Sequence, residues 1–470
     1  MPDAATPDEG RPVHVDDTFS FVATGDAILT RRLAPYEGTT DRFDDLLALL
    51  READATATNL EVIVHDYEPA PAAASGGTYM RAPPAVLDDL AAAGVDLFPA
   101  ATNHTYDYGE GGVERTLAAL RERDLVYAGI GRNRFEAREP GYLDTPGGRV
   151  GLVSVCTSYQ PAAVAGKRTA AMRGRPGLNP LGVERIYRLA PDRLDALREV
   201  SEAAGIEAIK RAWLDRGIYY NHDWNDPSYF HFGDMKFVPA DEADGSREAE
   251  GPTYVVSDAD VESLTADVAE ADANADWVVA SIHTHQGAGG RQTTVETPDF
   301  LVDVAHRCVD AGADVVVGHG PHVCRGVELY RGAPVFYSLG NFVVQNETVS
   351  RLPPESYRRY GLDDPTRVSD VFDQRLYDDQ GQPTGDLANR RFWQTIVPRC
   401  VFAGGDLDRV ELHPVTLQRN QPRSQRGVPV VATGTEAAEI IDEIEAASEP
   451  FGTSITVTDG VGVLDVDLVA

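Results

Sequence analysis

Two short segments far apart in the chain carry histidines in loops that directly follow apolar runs. The first contains Asn103 and His104, and the second contains His319 and His322, held among glycine and proline. Strand ends are where an α/β protein exposes side chains to a ligand, and neutral imidazole is the commonest metal ligand. Packing explains the second pair poorly, since unpartnered imidazoles are costly to bury. The pattern indicates a metal-centred site.

Three other apolar runs end in side chains that could join this site. Asp26 comes soon after the run 19–23, Glu61 follows a run of β-type residues, and His283 follows the run 277–282. Carboxylate oxygens and imidazole nitrogens together suit Mg, Mn, Fe or Zn. Taken singly, Asp26 also fits an ordinary turn, Glu61 a surface acid and His283 a hydrogen-bonded loop histidine. Together with the two histidine loops, they predict a hydrolytic metal site.

Two further side chains stand at distances that suit a supporting role. Asp107 comes three residues after His104, near enough to orient an imidazole that protonates a leaving group, although a helix N-cap is the competing interpretation. His285 faces the same side of an extended chain as His283, because they are two residues apart. We predict His104 and Asp107 as catalytic and His285 as substrate-binding, with a hydrogen-bonded loop histidine as the alternative for His285.

The charge balance limits the classes of partner. The 470 residues have a formal net charge of -33, and only Lys167, Lys210 and Lys236 are lysines. An acid excess with few lysines is typical of a protein kept soluble in concentrated salt, which screens repulsion between like charges. We therefore predict a halophilic source and no nucleic-acid partner, since nucleic-acid affinity rests on clustered basic residues.

The termini and the cysteines point to a soluble cytoplasmic protein. The first 17 residues are acidic, unlike the basic start of a signal peptide, and no apolar run reaches the length of a membrane span. Four cysteines are widely spaced without a CxxC pair. We expect reduced, buried thiols, with a contact between Cys308 and Cys324 as the alternative.

Short apolar runs alternate with amphipathic stretches along most of the chain, which predicts an α/β fold built of strand–helix units. Before them, 1–17 is predicted as a flexible acidic arm. The main domain spans about 18–420, with an inserted cap at about 160–255 and a long loop at about 346–390. Residues 421–470 are predicted as a C-terminal α/β extension.

At these motifs the chain resembles the CapA family of poly-gamma-glutamate capsule synthesis proteins, a branch of the calcineurin-like metallophosphatase superfamily. The resemblance spans roughly 18–345 and follows the motifs in order. They are Gly25-Asp26, Asn59-Leu60-Glu61, Asn103-His104 with Asp107-Tyr108-Gly109, His283, 318–323 and 333–342, with a further similar segment at 175–180.

The resemblance implies a four-layer αββα sandwich with two divalent metal ions at the strand ends. Asp26 and His322 would serve one ion, Glu61 would bridge the two ions, and His104 would protonate the leaving group. The other ion would take Asn103, His283 and His319. We also expect Arg175 and Asn341, which lie in the family segments, to bind substrate.

The sequence departs from the phosphatase pattern at three positions, which leave the number of metal ions and the substrate open. The histidine two residues after the first aspartate is absent, Glu61 replaces the bridging aspartate, and His319 and His322 are three residues apart instead of two.

The sequence leaves two candidate functions. The first is a metal-dependent hydrolase of the metallophosphatase-like class, acting on a phosphoester or amide bond of a small-molecule or polymer substrate. The alternative is a non-catalytic or accessory protein in poly-gamma-glutamate synthesis or export.

Overall fold

The strand boundaries follow from a computed structural model, which describes residues 18–217, 224, 226–240, 250–362 and 367–466. The predicted arm, 1–17, lies outside these residues. The strands are β1 Thr18–Ile28, β2 Ala55–Asn59, β3 Ile63–Val64, β4 Arg81–Ala82, β5 Leu97–Pro99, β6 Val126–Ala128, β7 Ile130–Gly131, β8 Gly141–Thr145, β9 Gly148–Cys156, β10 Gly177–Leu178, β11 Val183–Leu189, β12 Phe230–Phe232, β13 Met235–Pro239, β14 Gly251–Val256, β15 Trp277–His283, β16 Val315–His319, β17 Val327–Tyr330, β18 Ala333–Phe336, β19 Asn341–Val344, β20 Gln394–Ala403, β21 Asp406–Thr416, β22 Val430–Val431, β23 Ile455–Thr458 and β24 Val461–Leu464.

The helices alternate with these strands over most of the chain. They are α1 Asp41–Glu52, α2 Ala85–Ala92, α3 Gly109–Arg121, α4 Arg134–Arg138, α5 Pro191–Ala203, α6 Ile206–Asp215, α7 Asp258–Asp272, α8 Asp299–Asp310, α9 Pro354–Arg359, α10 Val368–Leu376, α11 Gly385–Ala388 and α12 Gly434–Ser448. None of the described helices is both long and apolar enough to cross a membrane. The alternation confirms the predicted α/β class.

Two large sheets dominate the structure. The first has ten strands in the order β23-β24-β21-β20-β1-β2-β5-β6, with β19 beside β1 and β22 beside β21. The second has six strands in the order β17-β18-β16-β15-β9-β8, of which β18, β16, β15 and β9 run parallel. Parallel strands place their carboxyl ends at one edge of a sheet, which is where an α/β protein builds a site.

Three hydrophobic clusters fill the spaces around these sheets. One includes buried leucines of α1, α2 and α3 with residues of the first sheet, and another includes buried residues of α7 and α8 with the second sheet. The third joins the facing sides of the two sheets. In it Trp277 lies between Phe19 and Phe402, with ring centroids 4.8 and 4.7 Å away. This core fixes one sheet against the other.

Several elements differ from the sequence prediction. The strand that contains the apolar run 19–23 continues to Ile28, because β19 pairs with β1 from Asp26 onward. Asp26 therefore lies within the strand and not after it. Within the predicted cap, α5 and α6 are separate helices, since Gly205 between them adopts a left-handed φ of 78°.

The predicted loop at about 346–390 contains α9, α10 and α11. Within the described part of 160–255, four strands form a separate sheet in the order β12-β13-β11-β14, and β10 pairs with β7. Beyond residue 420, β24 pairs with β21, so the C-terminal elements continue the first sheet. All four cysteines are free thiols.

A close approach of backbones at Gly25 yields a first prediction. A Cβ on Gly25 would lie 2.1 Å from the carbonyl oxygen of Gly340, which is backbone and cannot rotate away. We expect Gly25→Ala to lower the free energy of unfolding by about 3 kcal/mol in urea denaturation, because β1 and the loop before β19 must separate. Gly77→Ala is the control, since its Cβ would have only ordinary contacts, the nearest at 3.7 Å. Equal stabilities of the two variants would contradict this packing.

Candidate metal centre

The first sheet sets three polar side chains next to one another. Asp26 on β1 is in register with Asn59 at the end of β2 and with Asn341 at the start of β19. The Asn59 amide donates to Asp26 Oδ1 at 2.8 Å, and Glu61 follows two residues later. All four residues are buried. The strand pairing therefore places two carboxylates at one end of the sheet.

The second sheet brings histidines to the same place. His283 at the end of β15 is in register with His319 at the end of β16. The loops after these strands carry His285 and His322, whose ring centroids are 5.1 Å apart. His322 has a φ of 60°, an uncommon conformation for a residue with a side chain. Such backbone strain is held only where the surrounding structure enforces it, often at functional sites.

One group of donor atoms is formed by Asp26, Glu61 and His322. His322 Nδ1 lies 3.4 Å from Asp26 Oδ2 and 3.9 Å from Glu61 Oε2. The same nitrogen is 2.9 Å from Asn341 Oδ1, and the Asn341 amide donates to the His322 carbonyl. The donor atoms of the three residues all lie within 4.8 Å of one another, a spacing that could hold a metal ion.

A second group is formed by Glu61, His283 and His285. The Nε2 atoms of these histidines lie 3.8 and 4.0 Å from Glu61 Oε1. Asn103 adds its side-chain oxygen, 3.0 Å from His283 Nε2. Glu61 thus belongs to both groups, with one carboxylate oxygen facing each. The structure therefore offers donors for one ion or for two.

The Glu61 carboxylate is buried without a positively charged partner among the described residues. It is fully buried, and neither oxygen has a hydrogen-bond partner among the described residues; the same holds for His285 Nε2. Buried polar atoms are normally paired, because an unpaired one loses its interaction with water. Burial, together with the nearby Asp26, raises the pKa of Glu61 well above its ordinary value. Orphaned oxygens facing imidazoles fit a divalent cation.

The neighbouring groups carry the protonation states that metal ligands need. Burial lowers the pKa of His283 to about 3 and lowers that of His285 well below its usual value, so both rings are neutral near pH 7. Burial opposes ionisation of Asp26, but a hydrogen bond with His322 and the nearby imidazoles outweigh it and lower its pKa. Neutral imidazoles beside an ionised carboxylate are the forms that bind metals.

His104 and Asp107 form a hydrogen-bonded pair at the edge of the donor groups. His104 Nδ1 lies 2.7 Å from Asp107 Oδ2, and Asp107 also accepts from the backbone amides of Gly76 and Met80. These bonds fix the carboxylate, which in turn orients the ring. The other ring nitrogen, Nε2, lies 3.9 Å from Glu61 Oε1 and is therefore turned toward the donor atoms.

Three residues with predicted site roles, His319, Arg175 and Asn341, have contacts that differ from the prediction. His319 is buried, but its ring nitrogens contact the Thr24 carbonyl and the Ser281 hydroxyl, and it belongs to neither donor group. The structure thus brings His285, predicted to bind substrate, into the donor set and leaves His319 out. Arg175 is exposed, and its guanidinium donates to the Val164 carbonyl.

Asn341, also predicted to bind substrate, is fully buried against His322. Its amide also donates to the carbonyl of Phe392. The contacts of Asn341 are therefore with the site's own histidine and the backbone, which points to support of His322 in place of the expected substrate contact.

Sequence reasoning missed residues that support the ligands. Asn59 Nδ2 lies 3.1 Å from His283 Nδ1 and so joins the two sheets. Arg325 is fully buried and donates to the carbonyls of Gln286 and Thr294, which holds the loop that carries His285. The position of Asn59 at a strand end was a usable signal, but Arg325 has no signal in the local sequence.

The fold and the site define an α/β protein with a carboxylate–histidine donor set at its strand ends. The sequence profile of the family described as "Bacterial capsule synthesis protein PGA_cap" matches residues 20–346. The chain therefore belongs to this family, which confirms the resemblance to CapA proteins. The described site residues lie within the matched segment.

Individual relatives agree with this family. The uncharacterized protein y4sH of Sinorhizobium fredii is 31% identical over 96% of this chain and 94% of its own length. The capsule biosynthesis protein CapA of Bacillus anthracis is 24% identical over 81% of this chain and 73% of its own length. A probable polyglutamine synthesis accessory protein of Mycobacterium tuberculosis is 37% identical over 15% of this chain and 18% of its own length.

The different placements of His285 and His319 can be tested directly. We expect His285→Gln to weaken binding of Mn²⁺ or Zn²⁺ at least tenfold by calorimetry, because it removes a ligand atom. His319→Gln should lower the melting temperature, since it breaks two buried contacts, while leaving metal affinity within about threefold. The reverse ranking of the two affinities would show that His319 is the ligand.

Because the Glu61 carboxylate is unpaired, we expect its removal to stabilise the metal-free protein and to weaken metal binding. Glu61→Gln removes a buried charge beside Asp26, so the chelated variant should be about 1 kcal/mol more stable than the chelated wild type. The stabilisation that Mn²⁺ gives to wild type should be lost. Thermal unfolding with EDTA and with Mn²⁺ measures both effects.

Glu347→Gln is the matched control, because Glu347 is also buried but forms an ion pair with Arg426. We expect this variant to lose stability with and without metal. If Glu61→Gln behaves in the same way, the Glu61 carboxylate is structural and does not serve a cation.

Proposed function

We propose that the chain is a metal-dependent hydrolase of the metallophosphatase-like class, acting on a phosphoester or amide bond. The observation that carries this proposal is the position of Glu61, whose two buried and unpaired oxygens face two separate donor groups. A carboxylate shared in this way supports a site for two divalent ions, Mn, Fe, Zn or Mg. One bound ion would need only one of the two groups.

The arrangement of the two large sheets agrees with this class. Hydrophobic clusters lie between the first sheet and its helices, between the sheets, and between the second sheet and its helices. We interpret this as the four-layer αββα sandwich, with 160–255 as an inserted cap beside the site. The donor residues then come from strand ends of both sheets.

We assign separate roles in the reaction to the residues of the site. Asp26, Glu61, Asn103, His283, His285 and His322 would hold the metal. Divalent ions bound there would polarise the reacting group and lower the pKa of a water molecule. Asp107 fixes the orientation of His104, whose Nε2 can deliver a proton to the leaving group. Asn341 would keep His322 directed at the site.

An accessory role in poly-gamma-glutamate synthesis or export is the second candidate. The observation in its favour is the names of the relatives, which refer to capsule biosynthesis and to polyglutamine synthesis. Electrostatics opposes direct contact, because a polyanion is repelled by a chain of net charge -33 unless salt screens the charges. The two candidates differ in whether the donor set supports turnover.

Hydrolysis of model substrates tests the proposal. We expect Mn²⁺-loaded protein to cleave at least one of bis(p-nitrophenyl) phosphate, p-nitrophenyl phosphate and γ-glutamyl-p-nitroanilide, and Asp26→Asn to abolish this. His104→Ala should lower kcat about 10²-fold or more on the amide, whose leaving amine requires a proton.

The control is His306→Gln, which removes a histidine that is paired with Glu328 away from the donor set. Its rate should equal that of wild type. Metal-loaded wild type that cleaves none of the three substrates would contradict the hydrolase, and binding of poly-gamma-glutamate by that inactive protein would favour the accessory role.

A further inference from the structure

A cavity of about 600 Å³ opens directly onto the metal centre. Asn103 and His285, which belong to the donor set, form part of its lining, and strands of the inserted sheet contribute other lining residues. On β11 the lining residues are Val183, Arg185 and Tyr187. Alternate residues of a strand share one face, so the insertion presents a continuous surface to the site.

The charges in this lining are few. Among the described lining residues, Arg185 is the only permanent cation and Asp234, exposed on the turn between β12 and β13, is the only carboxylate. The remaining polar residues are mostly amides and hydroxyls, such as Gln160, Gln286 and Ser158. Such a lining suits a polar ligand with a single anionic group better than a densely charged polyanion.

Arg185 is held in place but not neutralised. It is in register with Tyr254 on β14, and its guanidinium carbon lies 5.9 Å from the centre of that ring. No carboxylate of the described residues lies within ion-pair distance of Arg185. Tyr254 is also a lining residue, its hydroxyl is buried, and the guanidinium contacts the hydroxyls of Tyr187 and Tyr254.

We propose that Arg185, with Tyr254 beside it, anchors an anionic group of the substrate at the far side of this cavity from the metal centre. A guanidinium has five N–H donors, and one whose described partners are two tyrosine hydroxyls and no carboxylate keeps donors and its charge for a ligand. The ligand is a small molecule with one carboxylate or phosphate at one end and the bond to be cleaved at the other. This inference rests on the proposed hydrolase, because it takes Asn103 and His285 as the reacting end.

The inserted sheet then decides which substrates are accepted. The donor set comes from the strand ends of the two large sheets, whereas Arg185, Tyr187 and Tyr254 come from the insertion alone. Changing the insertion would change the anion preference without touching a metal ligand. Arg185 is therefore a specificity residue, distinct from the groups that act on the scissile bond.

A pair of matched ligands tests the anchor. The probes are 4-phosphonobutyrate and 4-phosphonobutanamide, which share a phosphonate for the metal centre and differ in whether the other end is a carboxylate or an uncharged amide. We expect Mn²⁺-loaded wild type to bind the acid about tenfold more tightly than the amide in calorimetry at constant ionic strength. In Arg185→Gln the two should bind equally. Substituting phosphonobutyrate by 1,3-propanediphosphonate tests a phosphate-like anion in place of the carboxylate.

Arg188→Gln is the matched control, because it removes one positive charge from the same strand at a position outside the cavity lining. It should keep the tenfold preference. Equal binding of the two probes to wild type, or binding of neither, contradicts the anchor. A preference that Arg188→Gln removes as fully as Arg185→Gln also contradicts it, because the effect would then be one of overall charge.

The outcome is separable from that of the hydrolysis assay. Preference for the acid, lost in Arg185→Gln, in a protein that cleaves no model substrate would support the anchor and contradict the hydrolase. Cleavage of a model substrate without any preference between the probes would contradict the anchor alone.

Discussion

The burial of the Glu61 carboxylate without a hydrogen-bond partner is the constraint around which the site is organised. A carboxylate removed from water needs a cation or several hydrogen-bond donors. None of the described residues supplies either to Glu61. Imidazole nitrogens lie 3.8 to 4.0 Å from its oxygens, and like the neighbouring Asp26 carboxylate they are electron-pair donors. Electron-pair donors that face one another at these distances are suited to binding a metal ion between them.

The two sheets have to be fixed against each other for this arrangement to exist. Asp26 lies on the first sheet and Glu61 just after one of its strands, whereas His283 lies on the second sheet and His285 and His322 lie in the loops after its strands. The aromatic contact of Trp277 with Phe19 and Phe402 joins the facing sides of the sheets. Close to the donors, Asn59 contacts both Asp26 and His283. The inter-sheet core is thus as necessary to the site as the ligands themselves.

Much of the fold was accessible from the sequence, because its signals are local. Alternating apolar runs and amphipathic stretches predicted the α/β class, and the run 277–282 lies on an observed strand. The errors have tertiary causes. β1 is longer than its apolar run because β19 pairs with it, and the described part of 346–390 contains three short helices although its composition is typical of a loop. The high-salt source inferred from the acidic composition stays a prediction.

The sequence by itself determined which chemistry the chain can offer, since carboxylates, an asparagine and histidines at the ends of apolar runs are recognisable without coordinates. Tertiary structure alone decided which of them meet. The sequence predicted His319 as a ligand and His285 as substrate-binding, but backbone and hydroxyl contacts engage both ring nitrogens of His319, and His285 lies in a donor group. Arg185 gains its place beside the site only through the pairing of the inserted strands. Side-chain type is encoded residue by residue, whereas distances between side chains depend on how the sheets pack.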